Sequence, residues 1–173
     1  APPLSVGAAP TRTTGARPAL AELTIVGGDK VTVTHGAVLA ATTAMSRDLA
    51  NSPHSHLSAV KLADLAVALA PECGYSVEVY GKEQLQEMGC GGLLGVNAGS
   101  IEPPRMVVMT YDPPEATGHL VLVGKGIMYD SGGISIKPSS RVHAQMKNDM
   151  SGAATVIAAF CALGELGCTT EVT

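Results

Sequence analysis

The run His119-Leu-Val-Leu-Val-Gly-Lys-Gly-Ile-Met-Tyr-Asp-Ser-Gly-Gly-Ile-Ser-Ile-Lys-Pro138, with Met146-Lys-Asn-Asp-Met-Ser-Gly-Ala-Ala154 shortly after it, decides how this chain folds. The apolar residues His119–Val123 read as a strand. A long loop then runs from Gly124 to Asn148, Asp149 opens a helix to about Leu166, and Cys168–Thr173 begins another strand. Strand, helix and strand in that order predict a layered α/β fold. In such folds, sites gather outside the carboxyl ends of strands. Lys125 and Asp130 lie just beyond Val123, where that rule puts a site. Glycines at 124, 126, 132 and 133 permit sharp turns and close approach to a ligand. Two lysines, Lys125 and Lys137, and two carboxylates, Asp130 and Asp149, share this charge-poor stretch. Burying them is costly unless they are paired or hold a metal, and oxygen donors suit Zn²⁺, Mn²⁺ or Mg²⁺.

Working outward, residues 1–22 are rich in Ala, Pro, Thr and Gly without period, and read as a disordered tail or the remnant of an upstream domain. Leu23–Val26 and Val31–Thr34 flank Gly27-Gly28-Asp29-Lys30, which predicts a short hairpin. His35–Ala50 reads as a helix that Asn51-Ser52-Pro53 ends. Ser58 caps a second helix to about Leu69, with Leu62, Leu65, Ala66 and Leu69 on one face. Tyr75–Tyr80 alternates like a strand, Lys82–Met88 looks helical, and Gly89–Gly92 breaks it. Arg105–Tyr111 is a further strand, separated from His119–Val123 by a Pro113-Pro114 turn. No internal repeat is present.

Composition closes off several functions. The chain has 173 residues, an apolar fraction of 46% and a net charge of −4, which suits one domain with a real core. No apolar run approaches the roughly 18–20 residues of a membrane span. No Lys/Arg cluster suggests nucleic acid or an anionic membrane. Four Tyr, one Phe and no Trp leave no base-stacking platform and a core of aliphatic residues and methionine, Met45, Met106 and Met109 among them. Cys73, Cys90, Cys161 and Cys168 form no C-x-x-C pair, so reduced thiols and a cytoplasmic setting are expected. The opening residues show no charged-then-apolar pattern, so a secretory leader is not expected.

With these residues in hand, the chain resembles the leucyl aminopeptidase family of two-metal cytosol aminopeptidases (peptidase family M17), from about Val38 to Val172. The likeness begins at Arg47-Asp-Leu-Ala-Asn-Ser-Pro53, similar to R-D-L-x-N-[ST]-P. It is strongest at V-G-K-G-I-x-x-D-S-G-G-I-S-I-K-P, ending at Pro138, and at M-K-x-D-M-x-G-A-A, ending at Ala154. The resemblance implies a three-layer α/β/α fold with a mixed, largely parallel central sheet. Residues 23–173 would be the N-terminal part of a catalytic domain that is cut short at its C-terminal side.

The same resemblance implies roles. Asp130 would bridge two divalent ions, and Lys125 and Asp149 would complete the ligands of the tighter one on this side. Lys137 would be catalytic, polarising the substrate carbonyl. Met146 would line the pocket for an apolar N-terminal side chain. The ions would be Zn²⁺ or Mn²⁺, with Mg²⁺ and Co²⁺ as further candidates, and bicarbonate would join them in a longer parent. Two such ions acidify a shared water to around neutrality. A lysine ligand must be neutral, and lowering its pKa from about 10.4 to near 7 costs roughly 4–5 kcal/mol, which the ion's charge offsets. Without metal, Lys125 is expected as an ammonium paired with Asp130. Peptide substrates, a homohexamer built from trimers and a cytoplasmic location follow by the same likeness.

Departures matter as well. The family's downstream N-T-D-A-E-G-R segment, source of the remaining carboxylates and an arginine, is not in this sequence, so the 173 residues alone are expected to be inactive. Ser139-Ser-Arg-Val-His143 stands where relatives more often carry Asp-Gly-Met. The plainer readings are that Asp149 is an N-cap before an apolar helix, a role compatible with metal binding, and that Lys137 is a solvated loop lysine. His54-x-His56 has no third ligand at metal spacing and reads as surface; nothing fixes a role for His143. Ser131 lacks a nucleophile elbow, and Gly124-x-Gly126 is too short for a dinucleotide fingerprint. The rival class is a non-catalytic binding or assembly module on the same fold.

Overall fold

The computed structural model describes residues 22–173, so the tail expected over residues 1–22 lies, but for Glu22, outside the described residues. The first element is α1, Lys30–Asn51. Asp29 caps it: Oδ1 accepts the Thr32 N–H at 3.0 Å and Oδ2 accepts the Thr32 hydroxyl at 2.6 Å. The hairpin expected over Leu23–Thr34 is therefore overturned. Val31 and Val33 are exposed, so alternation there had no sheet to face, and the Asp29 cap turns the segment into helix instead. Helix α2, Ala59–Cys73, starts at Ser58, whose hydroxyl accepts the Lys61 N–H. It runs past Leu69 and through Pro71, closing on Gly74 in the left-handed region at φ 73°.

Strand β1, Ser76–Tyr80, follows, then α3, Lys82–Glu87, and α4, Gly91–Asn97. The second of these short helices begins inside the glycine run expected only to break the first. Strand β2, Met106–Thr110, pairs antiparallel with β1, Ser76 opposite Thr110 and Tyr80 opposite Met106. Strand β3 is regular only over His119–Leu120 and pairs parallel with β4, Glu171–Val172. Tyr111 and Val172 exchange two 2.9 Å backbone hydrogen bonds, joining the two small sheets in the order β1, β2, β4, β3. The result is a mixed sheet. Val121 and Val123, expected to prolong β3, are exposed.

Helix α5, Arg141–Gln145, and a 3₁₀ turn, Met146–Asn148, interrupt the loop expected to run unbroken to Asn148. Helix α6, Ser151–Leu163, is the centre of the core. Ala154, Ile157, Ala158 and Phe160 pack on Met45 and Leu49 of α1 and on Leu62, Ala66 and Leu69 of α2. The alanines allow the helices to approach closely, and the Tyr75 ring meets Phe160 edge-on at 5.5 Å. The buried Tyr75 hydroxyl donates to the Ala66 carbonyl at 2.6 Å, so nothing polar is left unpaired there. Met45 and Met109 are core as expected; Met106 is only half-buried. All four cysteines are free thiols.

Candidate metal centre

Two glycines bring the site together. A Cβ on Gly124 would lie 2.6 Å from the Gly152 carbonyl oxygen, and one on Gly152 would lie 2.8 Å from the Lys125 nitrogen. Without those atoms, the first turn of α6 rests directly on the end of the β3 segment, and the Ala153 N–H donates to the Lys125 carbonyl at 2.9 Å. Gly124 therefore serves close backbone packing against α6 and also lines the adjoining cleft. From the other side, Lys147 Nζ donates to the Asn51 carbonyl at 2.6 Å and fastens the 3₁₀ turn to the end of α1. The M-K-x-D-M motif contains that lysine but gave it no role; its closeness to a helix C-terminus, where carbonyls lack partners, is the physical signal.

Held this way, Asp149 faces Lys125, with Nζ 2.8 Å from Oδ2. The N-cap reading of Asp149 fails: Met150 occupies the N-cap position of α6 and no side chain caps the helix. Asp149 Oδ2 is buried, and apart from the Lys125 ammonium no donor among the described residues reaches it. Contact with Asp149 in the first place, and the negative charges of Asp149 and Asp130 in addition, hold the Lys125 amine above its ordinary value against some desolvation.

Asp130 pairs with the other lysine. Its Oδ2 lies 3.2 Å from Lys137 Nζ, and its Oδ1 accepts the Gly132 N–H at 2.9 Å. The expected partnership of Lys125 with Asp130 is thus replaced by two crossed pairs, because the glycine contact with α6 presents Asp149 to Lys125 first. The Gly132 N–H, then Lys137, keep the Asp130 carboxyl below the usual aspartate value. Gly132 sits at φ 96°, and a Cβ on it would lie 2.6 Å from the Ser135 carbonyl oxygen. The turn closes with Lys137 N–H donating to the Ser131 carbonyl at 2.8 Å.

The donor set fits a divalent cation. A carboxylate oxygen buried with no partner except one ammonium, and a second carboxylate whose charge reaches the same lysine, are compensated well by a cation. Carboxylate and amine donors suit first-row divalent ions. Among the described residues no group of three or more His, Cys, Asp and Glu stands at metal spacing, so this set falls short of a full coordination shell.

Met146 opens the 3₁₀ turn, half-buried. A cleft of about 760 Å³ adjoins the centre, lined by Gly124, Gly126 and Tyr129 and mostly by apolar side chains such as Val108, Val123 and Ile127; Met146 does not line it. His56 is exposed. His54 stacks against Tyr129 with ring centroids 4.9 Å apart, and Tyr129 in turn meets His143 at 5.7 Å. Spacing gave no sign of this contact, because His54 and Tyr129 belong to segments far apart in the chain.

The model of the cytosol aminopeptidase family's catalytic domain matches residues 44–173. A probable cytosol aminopeptidase of Chlorobaculum tepidum is 47% identical over 133 residues, covering 76% of this chain and 26% of the relative. Among solved structures, the bottromycin maturation enzyme BotP in complex with Mn superposes with a TM-score of 0.75 at 46% identity, covering 81% of this chain and 30% of that one. The apo leucyl aminopeptidase from Trypanosoma cruzi gives 0.73 at 37% identity, covering 80% and 27%. The chain spans about a quarter to a third of the length of the curated relatives it matches. No described helix is long and apolar enough to cross a membrane.

Proposed function

This chain belongs to the cytosol aminopeptidase family, and from that we propose that it is part of a metal-dependent aminopeptidase releasing N-terminal, preferably apolar, residues from peptides. The observation that carries the reading is the buried Asp149 oxygen, which among the described residues has only Lys125 as a partner, within the field of Asp130. Asp130, Asp149 and the neutral amine of Lys125 would hold the cation side of the site. When bound, a pair of divalent ions, Zn²⁺ or Mn²⁺, supplies Lewis acidity and an acidified water at neutral pH.

The chain's own groups do the rest. Lys137, an ammonium now resting on Asp130, donates to the carbonyl oxygen of the scissile peptide and stabilises charge that develops there. Met146 forms part of the wall for the first side chain. Residues 23–173 are in this reading the leading part of a catalytic domain, in a three-layer arrangement around a largely parallel sheet. The whole protein is a cytoplasmic hexamer, with bicarbonate at its active site.

Mn²⁺ titrated calorimetrically into the chain tests the reading. Binding is expected in the wild type and is expected to vanish in Asp149→Asn and in Lys125→Met; unchanged binding in both variants would sink it. A polypeptide of these 173 residues alone carries too few ligands for two ions and is expected to leave leucyl-anilide uncleaved. Turnover that Lys137→Ala abolishes would show that expectation wrong.

A further inference from the structure

Asp130 sits on a segment, 121–140, with no regular element among its own residues beyond β3. Its two direct contacts, the Gly132 N–H and Lys137 Nζ, both come from that same segment, as does the Lys137-to-Ser131 closure. These bonds fix the turn against itself; none fixes it against the rest of the molecule. On the inner side, Met128 packs against the core. On the outer side the tie is Tyr129, the residue directly before Asp130. Two imidazoles tilt against its ring, His54 at 4.9 Å and 49°, and His143 at 5.7 Å and 44°. Its hydroxyl donates to the His143 carbonyl at 2.9 Å. One imidazole comes from the connection between α1 and α2, the other from α5, which Ser140 caps through the His143 N–H at 3.2 Å.

We propose that the His54–Tyr129–His143 stack sets where the Asp130 carboxylate stands, with His54 and Tyr129 as positioning residues for the metal-binding group. This deepens the reading of the site given above and rests on it. Two tilted imidazoles and one hydrogen bond lock the Tyr129 rotamer. A locked ring next to Asp130 restricts the adjoining backbone, which is how residues behind a ligand set its orientation and affinity.

Two measurements on the full chain decide it, with His54→Ala, His54→Phe, Tyr129→Phe and Asp130→Asn. Amide hydrogen exchange needs no metal. His54→Ala is expected to speed exchange at Gly132 and Lys137 about tenfold while α1 and α6 keep wild-type protection, and His54→Phe, which keeps a stacking plane, is expected to restore both. Titration with Mn²⁺ alone should show affinity about tenfold weaker in His54→Ala and Tyr129→Phe, within the range known for groups behind a ligand, and rescued by His54→Phe. Wild-type exchange at Gly132 in His54→Ala overturns the proposal. So does Mn²⁺ affinity that Asp130→Asn lowers and His54→Ala and Tyr129→Phe leave alone. Should His54→Ala lose its fold, Tyr129→Phe decides on the same two readouts. If Asp130→Asn leaves Mn²⁺ affinity unchanged, the metal reading falls, and with it the positioning role.

Discussion

Helices α1, α2 and α6 and the segment 121–140 solve opposite problems with neighbouring residues. Around α6 the side chains are apolar and covered, with Leu49, Ala154 and Phe160 completely buried. In the segment, Ile134 and Val123 are almost wholly exposed, while Lys137 pairs with Asp130 and Lys125 reaches out to Asp149. Burying an apolar side chain contributes about 1.5–3 kcal/mol, whereas ion pairs that solvent still reaches contribute about 0–1 kcal/mol. The helices therefore supply the stability, and the segment can keep its charged side chains gathered because the helices brace it.

The largest effect expected is on the helical side. Phe160→Ala should cost about 3–5 kcal/mol, a large share of the roughly 5–15 kcal/mol typical of a domain, measured by urea unfolding. A cost below about 1 kcal/mol would mean that α6 is not the centre of the core. Next comes the junction. Gly124→Ala pushes a methyl into the Gly152 carbonyl and should cost about 1–3 kcal/mol, with Mn²⁺ binding lost as Lys125 and Asp149 part. Binding that survives in a stably folded variant would uncouple the two regions.

A pH series sharpens the contrast further. Asp130 is held below the usual aspartate value, so its contribution is present above about pH 3.9 and is lost as pH falls through the lower folded value. Lys125 is raised, so its contribution is complete below about pH 10.4 and is lost as pH climbs through the higher folded value. The Gly132 amide resonance should accordingly titrate with a midpoint below about pH 3.9, before any change in α6 signals as the pH falls. A midpoint at or above the ordinary value would remove the Asp130–Gly132 bond from the account. Smallest of all, Ile134→Ser should alter stability by no more than about 0.5 kcal/mol in the same urea assay, because that side chain touches little.

What the amino-acid order disclosed, and what it hid, follows the same division. Strands β1 and β2, helix α2 with its Ser58 cap and the apolar helix after Asp149 were readable, because each is written in local periodicity and capping chemistry. Val31–Thr34 misled, since β-branched alternation looks the same whether a sheet or solvent lies beside it, and the decisive Asp29 cap sits in what also reads as a turn. Glycine at 91 and 92 hid α4. The four charged residues of the site were visible as a group, but their partners were not. Asp130 is nearer to Lys125 along the chain, while a contact between two glycine backbones places Asp149 closer in space. The stack of His54 on Tyr129 left no local trace at all.

The seam between Gly124 and Gly152 has one more consequence. Main chain meets main chain there with no side chain to compress or rotate, so the interface has no compliant layer. Lys125 and Asp149 flank this contact, so a shift of the backbone on one side of the seam is passed directly to the backbone on the other.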